Sequence, residues 1–290
     1  MGRFLARPAR LASAAATACL LLAGCGSATP STGSTATGTA PTSTAGSGSA
    51  AAPAGVIPAG ASAAAQLKAL TKCTATPAPG AQEHWLVSAG GTLPTYTVPK
   101  GSPKVGTSLT GWPTTPMVVL GDCTDTEAWI FTSADSKNFY LAVQVDSTLA
   151  EVDGTDAAPW SGDCLQFAFD PQDQQTSAAY GPNDDEMGMI LLAGQPSVFQ
   201  NIGPNSASYL PPGSIPGAQV QITRNNGITL YEAAIPWAGI GSPVAPTFGF
   251  NIAVAAGGAP YQAPNWGYEW TQGIIESKSP SDFAQLTFKP

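Results

Sequence analysis

The stretch from Asn138 to Asp146 has a strict two-residue period. Phe139, Leu141, Val143 and Val145 fall on one side of it, and Tyr140, Ala142 and Gln144 on the other. An apolar face of this kind has to be covered by a second layer, so the segment is half of something packed. Residues 163–170 repeat the pattern, with Leu165, Phe167 and Phe169 on one face and Cys164, Gln166 and Ala168 on the other. Beside these two, at 139–146 and 163–170, seven further runs read as strands, at 117–120, 128–132, 186–193, 218–223, 229–235, 248–255 and 283–288, separated by Gly, Pro, Asn and Asp clusters. Short strands with turn signals between them predict an all-β, antiparallel sandwich over residues 104–290. Residues 66–103 read as an N-terminal extension, with two helical turns over 66–72 and a short strand over 83–87.

The first 65 residues follow a different rule. Arg3, Arg7 and Arg10 precede a short apolar run that ends in Leu22-Ala23-Gly24-Cys25. A charged start, a brief apolar core and a small-residue cleavage site make residues 1–24 an export signal. The run is too short to span a bilayer, which takes about 20 apolar residues. Residues 25–65 are almost entirely Ser, Thr, Gly, Ala and Pro, with no charge. Such a composition cannot bury enough apolar surface to offset chain entropy, so it is expected to form a disordered linker. Its reach holds the following domain tens of ångströms away from whatever anchors the chain.

Without the signal, eight basic residues stand against nineteen acids, a net charge of about −11. Fourteen of the acids lie between Asp122 and Glu186, with Lys137 the single base among them. Nucleic acid is excluded as a partner, because binding it takes a basic patch. The acids suit a divalent cation or simple solubility. Asp146, Glu151, Asp153 and Asp156 crowd one loop and are the candidate ligands of a structural Ca2+.

Beyond Cys25, an exported chain keeps Cys73, Cys123 and Cys164 in an oxidising compartment. That is enough for one disulfide; Cys73–Cys123 would staple the extension to the domain, and Cys123–Cys164 is the alternative. No Cys-x-x-Cys spacing exists to suggest zinc or redox chemistry. The single histidine, His84, lies before residue 104, so the sandwich can hold no Ser-His-Asp triad and no His-ligated metal.

Several stretches resemble a known family. Trp160-Ser-Gly-Asp-Cys-Leu-Gln-Phe-Ala-Phe-Asp170 and, later, Tyr231-Glu-Ala-Ala-Ile-Pro-Trp237 are similar in order and spacing to the signature strands of the family 9 carbohydrate-binding modules, which are related to the DOMON sandwiches. Val105-Gly106 through Trp112-Pro113, Asn138 through Asp146, Phe248 through Val254 and Ser281 through Leu286 extend the likeness over nearly all of 104–290. The opening stretch lacks the family's acid. The resemblance implies a jelly-roll-like sandwich and a non-catalytic module that binds an oligo- or polysaccharide, often beside a glycoside hydrolase in polysaccharide breakdown. Cys25 after Leu-Ala-Gly resembles a bacterial lipobox, which implies lipidation there and anchoring at the outer face of the cell membrane.

Sugar rings present C–H faces that lie against aromatic rings, and hydroxyls that need fixed polar partners. Trp160 with Gln166 forms one such combination, and the resemblance gives Trp160 half of a stacking pair. Gln166 stands where the family has a carboxylate, keeping an acceptor and adding a donor. The family's Arg from the following strand has no counterpart, since no arginine lies between Arg10 and Arg224. The second combination is the aromatic loop expected over 261–270, where Asn265, Trp266, Tyr268 and Trp270 are candidates and Trp266 or Trp270 supplies the other stacking ring. Trp112, Trp129 and Trp237 read as core, and Glu232 as a paired or solvated surface acid. Two other functions remain open: a surface scaffold or adhesion protein on the same sandwich without a sugar site, and a haem-binding electron carrier. Haem would need Met and His ligands; Met117, Met187 and Met189 are present, but 104–290 has no histidine.

Overall fold

The computed structural model describes residues 83–121, 126–147, 151–154, 162–176, 179–204, 207, 210–211, 213–241, 245–256, 267–275 and 277–289. The expected helical turns over 66–72, the signal, the linker, Cys25, Cys73 and Cys123 lie outside these residues.

Thirteen strands are described: β1 (Glu83–Val87), β2 (Thr95–Thr97), β3 (Val118–Gly121), β4 (Thr126–Ala134), β5 (Asn138–Ser147), β6 (Cys164–Asp170), β7 (Asp185–Leu192), β8 (Gln195–Ile202), β9 (Gln219–Asn225), β10 (Ile228–Pro236), β11 (Thr247–Ala255), β12 (Gly267–Thr271) and β13 (Ala284–Thr287). They form two sheets. Five strands run in the order β3-β4-β5-β10-β9; the other sheet runs β1-β12-β11-β6-β7-β8, with β13 joining β11 to β2. All pairings within the five-stranded sheet are antiparallel, and the two parallel ones, β1 with β12 and β2 with β13, sit at the margin of the larger sheet. The all-β sandwich expected from the strand pattern is therefore present. The extension expected at 66–103 contributes two of its strands, so the sheet begins well before residue 104.

The two-residue period sorts the faces. Phe139, Leu141, Val143 and Val145 of β5 and Leu165, Phe167 and Phe169 of β6 point into one shared core with Phe248, Phe250, Ile252 and Val254 of β11. Phe139 lies at its centre, with ring centroids 5.3 Å from Phe169, 5.5 Å from Phe250 and 5.8 Å from Trp237. Edge-on and tilted contacts of this kind are the favoured arrangements for aromatic pairs. Trp237 donates its indole N–H to the Asp135 carbonyl at 2.8 Å, which lets a polar-tipped ring pack in the core. A second apolar cluster lies on the far side of the five-stranded sheet, where Leu109 and Trp112 of the chain leading into β3 cover Phe131, Tyr140, Ala142 and Leu230. That strap also buries Glu232, which accepts a hydrogen bond from the Gly106 N–H at 2.8 Å. Glu232 is thus no solvated surface acid: burial pushes its carboxyl up, against the bond from Gly106.

The strands unread in the sequence are β2, β8 and β12. The turn from β7 to β8 puts both Ala193 (φ 48) and Gly194 (φ 77) in the left-handed region. This is the geometry favoured for two-residue hairpins, and alanine is an unusual occupant of its first position. β8 also carries Pro196, which is tolerated because β8 is an edge.

Candidate functional site

The outward face of the larger sheet mixes small and polar side chains with one apolar cluster. One row across it, in register, is Ala253 of β11, Gln166 of β6, Gly188 of β7 and Phe199 of β8. A Cβ at Gly188 would run into the Phe199 ring, so the glycine makes room for that ring over the sheet. Phe199, Cys164, Ile190 and Leu192 form a small apolar cluster there. Cys164 is a free, buried thiol, and burial pushes it up to about 12, so it behaves as a small apolar group. It takes no part in a disulfide, which removes the pairing with Cys123. Gln166, 7% exposed, hydrogen-bonds this thiol and lies in the floor of the row.

The next row is structural. Asn251 of β11, Ala168 of β6 and Glu186 of β7 lie side by side. The Asn251 amide donates to Glu269 Oε1 at 2.7 Å and to the Thr271 carbonyl, and its oxygen accepts from the Thr271 N–H at 3.0 Å. Glu269 further accepts from the backbone N–H groups of Gly273 and Ile274. Glu186 accepts from the Tyr180 hydroxyl, the Asn201 amide and, at 2.7 Å, the Lys278 ammonium. Both glutamates are fully buried and engaged by the fold's own donors.

The chain positions that flank the two aromatic segments are neighbours. Cys164, which opens β6 after residues 155–161, pairs with Ala255, which closes β11 before residues 257–266. On the other side of β11, Val254 pairs with Tyr268, just inside the start of β12. Trp160, Asn265 and Trp266 themselves lie outside the described residues. Tyr268 and Trp270 do not, and they correct the expectation of an aromatic loop over 261–270. Residues 267–271 are a strand, with Tyr268 (1% exposed) and Trp270 (4%) turned inward into the main core. Rings so covered present no face to a ligand. Alternation of Tyr268 and Trp270 with Glu269 and Thr271 was the signal for this strand.

Of the four acids expected to hold calcium, the three among the described residues do not gather. Asp146 and Glu151 are exposed, Asp156 is outside the described residues, and Asp153 is ion-paired with Arg224. Among the described residues, no three His, Cys, Asp or Glu side chains gather so as to hold a metal ion. Arg224 reaches from β9 to Asp163 at 3.2 Å and to the Val152 carbonyl at 3.3 Å. Asp163 in turn accepts from the Val152 N–H at 3.0 Å, and its own N–H donates to the Val152 carbonyl at 2.8 Å. These bonds tie residues 151–154 to 162–163 around one guanidinium. Arg224 is the only arginine after Arg10, which was the one sequence cue to this role. Arg224→Met keeps the apolar stem but takes the guanidinium away from Asp153 and the buried Asp163; an expected loss of about 2 kcal/mol in a urea melt checks it.

No sequence family profile matches the chain, and no curated protein matches it. Solved structures do. A family 9 carbohydrate-binding module from Caldicellulosiruptor kristjanssonii in complex with cellotriose is similar over 67% of this chain and 93% of that one, with a TM-score of 0.51 at 15% identity. The complex of a family 9 module from the same organism with glucose gives the same TM-score and identity, covering 67% of this chain and 95% of that one. The chain has the fold of these modules. The jelly-roll-like sandwich implied by the motif resemblance is thus the architecture present, reached at an identity too low to carry a ligand across by itself.

Proposed function

We propose that this chain is a non-catalytic carbohydrate-binding protein, exported and held at the outer face of the cell membrane by a lipid on Cys25. In this reading a sugar ring stacks between Trp160 and Trp266, with Asn265 and Gln166 supplying hydrogen bonds to its hydroxyls. The observation that carries it is the pairing of Cys164 with Ala255, which roots the segments bearing Trp160 and Trp266 side by side on one sheet end, beside Gln166. Beside Gln166 the row carries the small Ala253 on one side and, over Gly188, the Phe199 ring on the other, an apolar neighbour for a sugar's C–H face. The motif resemblance and the shared fold support the same ligand class. The uncharged linker then spaces the module from the membrane, where it would hold polysaccharide for enzymes that degrade it.

A tryptophan-fluorescence titration of the chain with oligosaccharides from cellulose, xylan and peptidoglycan tests this. Cello-oligosaccharides come first, given the cellotriose and glucose complexes of the similar structures. A saturable shift is expected, abolished in Trp160→Ala and weakened about tenfold in Gln166→Ala, the worth of one good hydrogen bond. A folded chain that responds to none of these sugars overturns the reading and leaves a surface scaffold on this fold.

A further inference from the structure

At the end of the larger sheet away from Gln166, β6 and β7 are joined by the connection 171–184. Asp170 closes β6 and Asp184 stands immediately before β7. The last pair of the ladder is Phe169 with Asp185, so Asp170 and Asp184 flank it at the mouth of the connection. Both are fully buried. Asp170 Oδ2 accepts from the Gln175 N–H at 2.6 Å, and Asp184 Oδ2 accepts from the Gly181 N–H and, at 3.0 Å, the Thr176 hydroxyl. The other oxygen of each carboxyl, Oδ1, is buried with no partner, and the register sets the two residues opposite one another at the end of the ladder.

Two buried anions cannot sit in contact without something between them. A calcium ion takes six to eight oxygens, whereas two oxygens are orphaned here and no third metal-binding side chain joins them among the described residues. One proton satisfies two orphaned oxygens with nothing left over. We propose that Asp184 holds a proton, which it donates in a hydrogen bond to the facing Asp170 carboxylate, and that this bond fastens the two ends of the β6–β7 connection, which loosens as the pH rises and the proton is lost. Burial, followed by the repulsion of Asp170, holds the Asp184 carboxyl above the usual range in support of this.

Other groups around the pair do not supply a counter-charge. Asp185 is the next residue on β7, and Asp173 accepts from the side chains of Gln175 and Gln285. Tyr180 and Lys278 both bond Glu186, and Asp282 accepts from the Gly90 N–H. Gly249 and Gly241, which pack against Asp170 and Pro171, bring no charge. The folded pair therefore binds a proton that the unfolded chain releases. Its contribution is present at low pH and is lost as pH rises through the folded titration.

Hydrogen exchange on the full chain, corrected for intrinsic rate, reads the latch directly. Protection of the described residues 171–176 and 179–184 is expected to fall about tenfold or more from about pH 5 to about pH 9. Asp184→Asn keeps an oxygen for Gly181 and Thr176 and puts an amide donor where the proton stood, so it is expected to abolish the pH response while the sheet stays protected. Asp170→Asn, built on the same logic, should do likewise and covers the case in which the first variant does not fold. The comparison is made in an Asp185→Asn background, which takes away that residue's own loss of stability with rising pH, and the response of the Asp170–Asp184 pair should remain there. A connection whose protection in the Asp185→Asn background ignores pH overturns the proposal, as does a response that survives both amide variants there. Protection restored at about pH 9 by Ca2+ after chelation, and lost in Asp184→Asn, also overturns it in favour of a cation.

Discussion

Glu269→Ala is expected to lower the stability of the sandwich by at least about 4 kcal/mol, with a urea midpoint shifted accordingly and an unchanged slope. Glu269 sits mid-strand on β12 with its carboxylate fully buried on the outward face. It gathers the Asn251 amide and the backbone N–H groups of Gly273 and Ile274, with Ile275 reaching it at 3.4 Å. The carboxylate thus orders the tight turn that follows β12 and fastens β12 to β11. Removing it leaves these donors buried without an acceptor, each costing about 1–3 kcal/mol. Lost packing adds to that. Glu269→Gln keeps one carbonyl oxygen for Asn251 and the turn, so it is expected to cost about half as much. An alanine variant within about 1 kcal/mol of the wild type would mean that the turn has found another acceptor, and that the network does not hold β12 in place.

How far the sequence carried the fold can be seen in particular strands. β5 and β6 were legible because each is buried on both faces yet still sorts large apolar residues inward, so the period survives. Most other strand ends fell within a residue or two of the structure. β8 was hidden by a hairpin turn that starts at Ala193, which the strand pattern over 186–193 absorbs, and by Pro196, which reads as punctuation when no partner strand is in view. β12 was hidden by its own aromatics: Tyr268 and Trp270 beside Glu269 look like a ligand loop until the core behind them is known. The parallel pairing of β1 and β2 had no local signal at all, because both strands depend on partners more than 180 residues further on.

The site was legible in part. Gln166 lies on the outward face that the alternation predicts, and the rooting of the two aromatic segments beside it follows from strand order, which the sequence alone does not display. The acids were the weakest part of the reading. Composition shows fourteen of them between Asp122 and Glu186 and suggests a solvated or cation-binding surface. The structure buries Asp163, Asp170, Asp184, Asp185 and Glu186 of that run, along with Glu232 and Glu269. Whether an acid is buried depends on which strap or loop crosses the sheet face above it. For Glu232 that strap arrives from Gly106, 126 residues earlier.

Asp185→Asn is expected to stabilise the protein, and by more as the pH rises. Asp185 opens β7 with 2% exposure, and its carboxylate accepts a hydrogen bond from the Gln200 amide at 2.9 Å. Desolvation raises it from 3.8 to about 7; the neighbouring Glu186 adds to the rise, while Gln200 and a backbone N–H oppose it. Between these two values the folded chain holds a proton that the unfolded chain has released, so the unfolded state binds fewer protons and stability falls with increasing pH. The loss begins near the ordinary carboxylate value, is complete above about 7, and amounts to about 4 kcal/mol at most. Asparagine keeps the oxygen that Gln200 needs and carries no charge to desolvate. Urea melts of the two proteins should therefore nearly coincide at about pH 4 and diverge steadily to about pH 8, with the variant above the wild type. The difference between the two curves isolates this one group from the other buried acids. Parallel curves across that range would show that Asp185 ionises as easily in the fold as outside it, and that the start of β7 is open to water.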